Sequence, residues 1–203
     1  MTDTSQTFSS ITDWMSAVGS DLSAIGVVVG VFLAWKQLGT WRAHAKALRK
    51  AEIAEGLLAS ASSVVDLMKA VRTPLASVPI DQSENKNYVV EQKIKRLSEG
   101  GTIFQTMRQF QVKAKIVIQD TKVDGAVEKL FQTRLDFWNA VDILIDYNNV
   151  ASKELQPEEK KLLVEARQSV FATYGTKDAL NQTMSDALLE LETYLGPTIR
   201  MNS

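Results

Sequence analysis

Six bases fall within one short stretch of the chain: Lys93, Lys95, Arg96, Arg108, Lys113 and Lys115. Lys and Arg gathered on one helical region are what recognition of an anion needs, because phosphate contacts ask only for correctly placed positive groups. The ligands such a region would take are a nucleotide, an oligonucleotide or a lipid head group. Residues 86–122 hold eight bases against three acids, whereas residues 123–203 hold eight bases against thirteen acids. The same bases therefore have an alternative use, pairing with the acidic C-terminal third within or between subunits. Aromatic residues interleave thinly here (Tyr88, Phe104, Phe110), so base stacking has little to stand on.

Other chemistry is scarce. Cysteine is absent, which removes disulfides, thiolate metal sites and cysteine nucleophiles together. His44, the single histidine, lies among Arg42, Lys46 and Arg49 with no acid nearby to orient it, and reads as an exposed side chain. Asp142 and Asp146 share a helical face, but Asp136 does not join them and no third convergent ligand follows, so no metal site is expected. Phosphate-binding glycine loops, dinucleotide fingerprints and the Gly-x-Ser-x-Gly elbow are all missing. Neither catalytic residues nor a cofactor are expected, and the net charge of −1 excludes a globally basic nucleic-acid binder.

The elements that must position the bases begin with an apolar run. Residues 1–35 contain no Lys or Arg and three acids, and residues 22–35 carry no charge. Extended back to Trp14 the stretch is 22 residues, about 33 Å of helix, enough to cross a hydrocarbon layer of about 30 Å. Trp14 and Trp35 sit at its ends, where amphipathic rings favour the membrane interface. Lys36, Arg42, Lys46, Arg49 and Lys50 all follow it. That asymmetry predicts an uncleaved membrane anchor, with the N-terminus outside and the C-terminal body in the cytoplasm. A buried N-terminal helix of a soluble oligomer is the competing reading. Ser16, Gly19, Ser23, Gly26, Gly30 and Ala34 recur at steps of three and four, and Gly26 and Gly30 form a Gly-x-x-x-Gly pair. Such an edge suits dimerisation; alternatively several copies close around a polar path lined by Ser16, Ser20 and Ser23, with Asp21 facing protein or water.

Beyond the span the pattern is all-α: an N-terminal tail over 1–13, a transmembrane helix over 14–35 and a cytoplasmic antiparallel bundle over 36–203. Lys36 to Thr73 reads as one helix with an apolar stripe at Leu57, Ala61, Val64, Met68, Val71 and Leu75. Residues 74–87, with Pro74 and Pro79, read as a linker. A second helix starts at Tyr88, with a kink or turn at Gly100-Gly101, and Phe104, Met107, Phe110 or Gln111, Ala114 and Val117 face inward beyond it. A third, from Val123 to Asn148, directs Val127, Leu130, Phe131, Leu135, Trp138, Val141 and Ile145 inward. Pro157-Glu158-Glu159 opens a fourth, ending near Thr173 before a break at Gly175-Thr176. A last helix from Asp178 stops at Gly196-Pro197.

This order of parts, with Phe32-Leu-Ala-Trp-Lys-Gln-Leu38, Ala51-Glu-Ile-Ala-Glu-Gly-Leu-Leu58, Lys69-Ala-Val-Arg-Thr-Pro74, Phe131-Gln-Thr-Arg-Leu-Asp-Phe-Trp-Asn-Ala140 and Leu195-Gly-Pro-Thr-Ile199, resembles small bacterial single-span proteins with helical cytoplasmic domains. In particular it resembles the Hailong-type membrane effectors of antiphage defence. The resemblance implies a homo-oligomeric channel gated by a DNA oligomer, with a nucleotidyltransferase partner encoded nearby; it carries no ligand motif to match onto this chain. A membrane-tethered scaffold that binds another protein remains the alternative function.

Overall fold

A computed structural model describes residues 4–74, 77–148, 155–173 and 178–200, with side chains from residue 30 onward. Among these the chain is all-α. The helices are α1 (Thr4–Arg72), α2 (Tyr88–Glu99), α3 (Gly101–Val117), α4 (Thr121–Tyr147), α5 (Pro157–Val170) and α6 (Ala179–Arg200), with a short 3₁₀ turn at Ile80–Gln82. Two compact units divide between Leu48 and Arg49. In the first, every described residue from Gly30 to Lys46 is exposed, including the large apolar Val31, Phe32, Leu33, Trp35, Leu38 and Trp41. Packing in the second begins at Ala51, so the bundle starts some way beyond the boundary that hydropathy drew at residue 35.

Within the bundle the apolar stripe of α1 is buried as its spacing demands. Leu57, Ala61, Val64, Met68 and Val71 are all at the centre of the core, while Leu75 lies outside the described residues. Each large apolar side chain so buried contributes about 1.5–3 kcal/mol. Two glycines allow the close approaches: a Cβ on Gly56 would collide with the Phe110 ring, and one on Gly100 with Leu67. Gly100 separates α2 from α3, so the double glycine makes a turn between two helices.

The turn from α3 to α4 uses Gln119 at φ 60°, a left-handed conformation that glycine would adopt more easily. Asp120 follows as the N-cap of α4, its carboxylate accepting from the Lys122 amide at 2.8 Å. Pairs across the two helices run in opposite order, Arg108 with Glu128 and Lys115 with Asp124, which makes them antiparallel. Likewise Lys129 pairs with Glu190, and Lys122 lies over the Tyr194 ring, so α4 and α6 are antiparallel too. At the start of α5 the Glu159 carboxylate accepts from the Gln156 amide at 2.7 Å, as expected of acids in a first turn.

Three details depart from the periodicity. On α4, Leu135 is exposed and Phe131, Trp138 and Ile145 are half-buried, whereas Thr133, Phe137, Ala140 and Leu144 are buried. The cause is that α4 contacts α2, α3, α5 and α6, so its buried arc is wider than one stripe and centred elsewhere. The fourth helix ends at Val170 and not near Thr173, while the break expected at Gly175-Thr176 lies outside the described residues. Finally, α6 does not stop at Gly196-Pro197 but runs to Arg200. Proline there forfeits one hydrogen bond of the last turn, while Leu195 and Ile199 still pack on the core.

No helix is long and apolar enough, among the described residues, to cross a membrane. Of the span expected over 14–35 only residues 30–35 have described side chains; Ser16, Gly19, Ser20, Asp21, Ser23 and Gly26 lie outside them. Gly30 and Ala34 are exposed, and a Cβ on Gly30 would meet nothing within 4 Å.

Candidate functional site

Lys93 carries the largest surprise. It projects inward from α2 and is 4% exposed. Its ammonium donates to the carbonyls of Val71 at 2.6 Å and Thr73 at 2.8 Å, and lies 4.8 Å from the centre of the Phe171 ring. The last carbonyls of a helix have no partner within it and carry its negative dipole end, so a buried ammonium there completes α1. Burial is the main force pulling the Lys93 pKa down to about 8, helped by the nearby Arg96 and Arg72. Lys93 is thus a structural cap first, and its charge is not presented on the surface with the other bases.

Arg72, the last residue of α1 and set between those two carbonyls, does the reverse and reaches out to two other elements. Its Nε donates to the Ser169 carbonyl at 2.7 Å, and its terminal nitrogens to the Gln168 carbonyl, the Asn181 side chain and Asp178. Both partners of the Arg72–Asp178 pair are buried. Burial alone would push the Asp178 carboxyl up; the Asn181 amide, Arg72 and the Thr173 amide outweigh it and hold the pKa below its ordinary value. Nothing in the sequence pattern marked this clasp. The available sign was a lone arginine beside Pro74, at the point where a helix must end and its carbonyls need covering.

The remaining bases separate into two groups. Arg108 stacks over the Phe131 ring at 3.7 Å and pairs with Glu128, and Lys115 pairs with Asp124 at 3.2 Å. Gln111 bridges the two acids from the buried side of α3. Its amide is the largest influence holding the Glu128 carboxyl below its ordinary pKa, followed by Arg108. These two bases serve the pairing with the acidic third of the chain. Lys95, Arg96 and Lys113 are exposed and have no carboxylate partner among the described residues.

Those unpaired bases are not brought to one place. Lys113, its ammonium 4.9 Å from the Phe110 ring, lines a cleft of about 300 Å³ with Arg49, Glu52, Ile53, Phe110 and Val117. Arg96 lines a separate polar cavity of about 110 Å³ with Thr73, Ser77, Tyr88, Gln92 and Lys93. Val89 walls that cavity and also a cleft of about 360 Å³ where Lys86 and Arg167 stand beside Pro74, Leu144 and Phe171. Lys86 and Arg167 were not singled out by spacing, because the turn before α2 and the helix α5 are far apart in sequence and only the fold brings them together. Three of the bases in these two spaces, Lys86, Lys93 and Arg96, come from the residues leading into and along α2.

His44 is exposed, and among the described residues no group of three His, Cys, Asp or Glu side chains could hold a metal. Asp136 accepts from Gln132, while Asp142 and Asp146 are exposed. No protein-family model, curated protein or solved structure matches the chain. The likeness to Hailong-type effectors therefore rests on the segments quoted for it.

Proposed function

We propose that this chain is a non-enzymatic effector of a bacterial inner membrane, anchored by residues 14–35 with its N-terminus outside. In this reading copies assemble along the edge holding Gly19, Gly26 and Gly30 into an ion-conducting path, and an anionic nucleotide or DNA oligomer governs the assembly. The observation that carries it is the exposure of Val31, Phe32, Leu33, Trp35, Leu38 and Trp41 on successive faces of α1. A contiguous apolar surface of this kind needs lipid or another copy to cover it. The ligand half is supported by Arg96, Lys95 and Lys113, exposed bases with no carboxylate partner among the described residues. Antiphage defence, with a nucleotidyltransferase as a genomic neighbour, is the setting the resemblance adds. Because only differential affinity shifts a conformational equilibrium, the ligand would act by preferring one packing of the bundle over another.

The test is ion flux through liposomes carrying the purified chain. Since a Cβ on Gly30 meets nothing in the isolated chain, Gly30→Leu leaves the subunit fold intact and reports on contacts between copies. The expected result is flux in the natural chain and at least a tenfold loss in Gly26→Leu and Gly30→Leu. A membrane-tethered scaffold is favoured instead by the exposed Val78 and Ile80 at the linker, which offer a protein partner an apolar tip. Absence of flux, with cellular effect unchanged in both glycine variants, decides for the scaffold.

A further inference from the structure

The small cavity beside the end of α1 has a composition that the bundle's stability does not require. Arg96 and Lys93 bring two positive charges to it, and no acid lines it. Lys93 has spent two of its three N–H donors on the Val71 and Thr73 carbonyls, leaving one. The Arg96 guanidinium, the Tyr88 hydroxyl and the Gln92 amide have no hydrogen-bond partner among the described residues. Small-molecule sites occupy roughly 300–1,000 Å³, so about 110 Å³ holds one anionic group and not a whole nucleotide.

We propose that this cavity binds a single tetrahedral oxyanion of the phosphate class, with Arg96 as its principal ligand and Lys93, Tyr88 and Gln92 completing the shell. The proposal rests on the anionic-ligand half of the functional reading and narrows it to one chemical group at one place. It also couples the anion to the end of α1, because the same ammonium that faces the cavity holds the last carbonyls of that helix. The charged groups that act on Lys93 are Arg96 from its own helix and Arg72 from α1, whose charge is already matched by Asp178 at the start of α6. Phe171, from the end of α5, presents only a ring face. A bound anion offsets the repulsion from Arg96 and burial alike, and so favours the charged form of Lys93. With its pKa lowered to about 8, Lys93 is largely neutral above that pH in the unliganded protein. Binding there must take up a proton, and affinity falls as pH rises.

The experiment is calorimetric titration of the full chain with sulfate, whose charge is constant from pH 7 to 9.5, and with inorganic phosphate. The expected results are saturable binding, weaker at pH 9.5 than at pH 7, with a heat at pH 8.5 that depends on the ionisation heat of the buffer. Hydrogen bonds to charged groups imply a loss of about tenfold or more in Arg96→Gln and a smaller loss in Tyr88→Phe. Lys160→Gln, an equal change of net charge on an exposed position of α5, leaves affinity unaltered. Arg96 and Tyr88 are used because substitution of Lys93 removes the helix cap as well. No sulfate or phosphate binding, or equal weakening by Arg96→Gln and Lys160→Gln, overturns the proposal. A dinucleotide with and without a 5′-phosphate separates a free anion from a terminal phosphate as the source. Should the inorganic anions bind through Arg96 while neither dinucleotide does, the oxyanion site stands and the nucleotide reading falls. If dinucleotides bind and Arg96→Gln has no effect, the nucleotide reading stands and this site is wrong.

Discussion

The clasp at the end of α1 and the row of pairs between α3 and α4 use the same side-chain types in opposite solvent environments. Arg72 and Asp178 are sealed from water, and each is further held by main-chain groups. Arg108 and Glu128 are about half exposed, and Lys115 more so. Desolvation makes a buried pair costly to assemble and far more costly to halve, whereas water and salt weaken an exposed pair from the outset. Charge in this bundle therefore secures structure at one end of α1 and trims the surface along α3. Lys93 joins the first group although its chain position places it with the second.

The comparison predicts a steep ranking of effects. Arg72→Ala leaves Asp178 buried without its counter-charge and uncovers the Gln168 and Ser169 carbonyls, so it should cost about 3–5 kcal/mol in denaturant unfolding. Arg72→Met, which fills much of the volume, should cost less only if Asp178→Asn is made with it. A double variant no better than Arg72→Met alone would place the loss in packing and break the contrast. The same pair has a pH signature. Asp178 has a depressed pKa, so its contribution is present at neutral pH and is lost as pH falls through the folded value. Asp178→Asn should flatten that acid limb.

Lys93 gives an intermediate effect of the same sign in pH from the opposite cause, since burial penalises its charged form whereas partners favour that of Asp178. Its pKa is lowered to about 8, so below that value both folded and unfolded chains carry the charge. Between pH 8 and its unfolded value of 10.5 the unfolded chain binds more protons, and stability should rise with pH. Urea midpoints over that range should climb in the natural chain relative to Lys93→Met; parallel curves would show that Lys93 is not desolvated. Smallest of all, Arg108→Gln or Lys115→Gln should cost about 0.2–1 kcal/mol and lose that cost in high salt. A salt-insensitive loss larger than this would mean that the Arg108–Phe131 stack, and not the charge, carries the pair.

Spacing along the chain made the helices readable, because the burial stripe of α1 and the signals at Pro157 and Gly100-Gly101 are local. It could not reveal which arc of α4 a central position buries, since that depends on four neighbours. Nor could it separate Lys93 from Lys95, two residues apart in a basic run: one points to the core and the other to solvent. For Arg108 and Lys115 the alternative of pairing with the acidic third was legible from charge segregation alone. The convergence of Arg96 with Tyr88 was half visible, since both lie on α2. Lys86 with Arg167 required the fold.

The contacts of Arg72 join residues 96 to 109 positions apart. Closing them waits on the ends of α1 and α5 and the start of α6 meeting across long stretches of chain, so the clasp is expected to form on the native side of the folding barrier. Loss of the guanidinium should therefore hasten unfolding while leaving the refolding rate almost unchanged. That arginine works as a latch on the lifetime of the native state, and relaxation kinetics of Arg72→Met would show it as an unfolding arm raised across all denaturant concentrations.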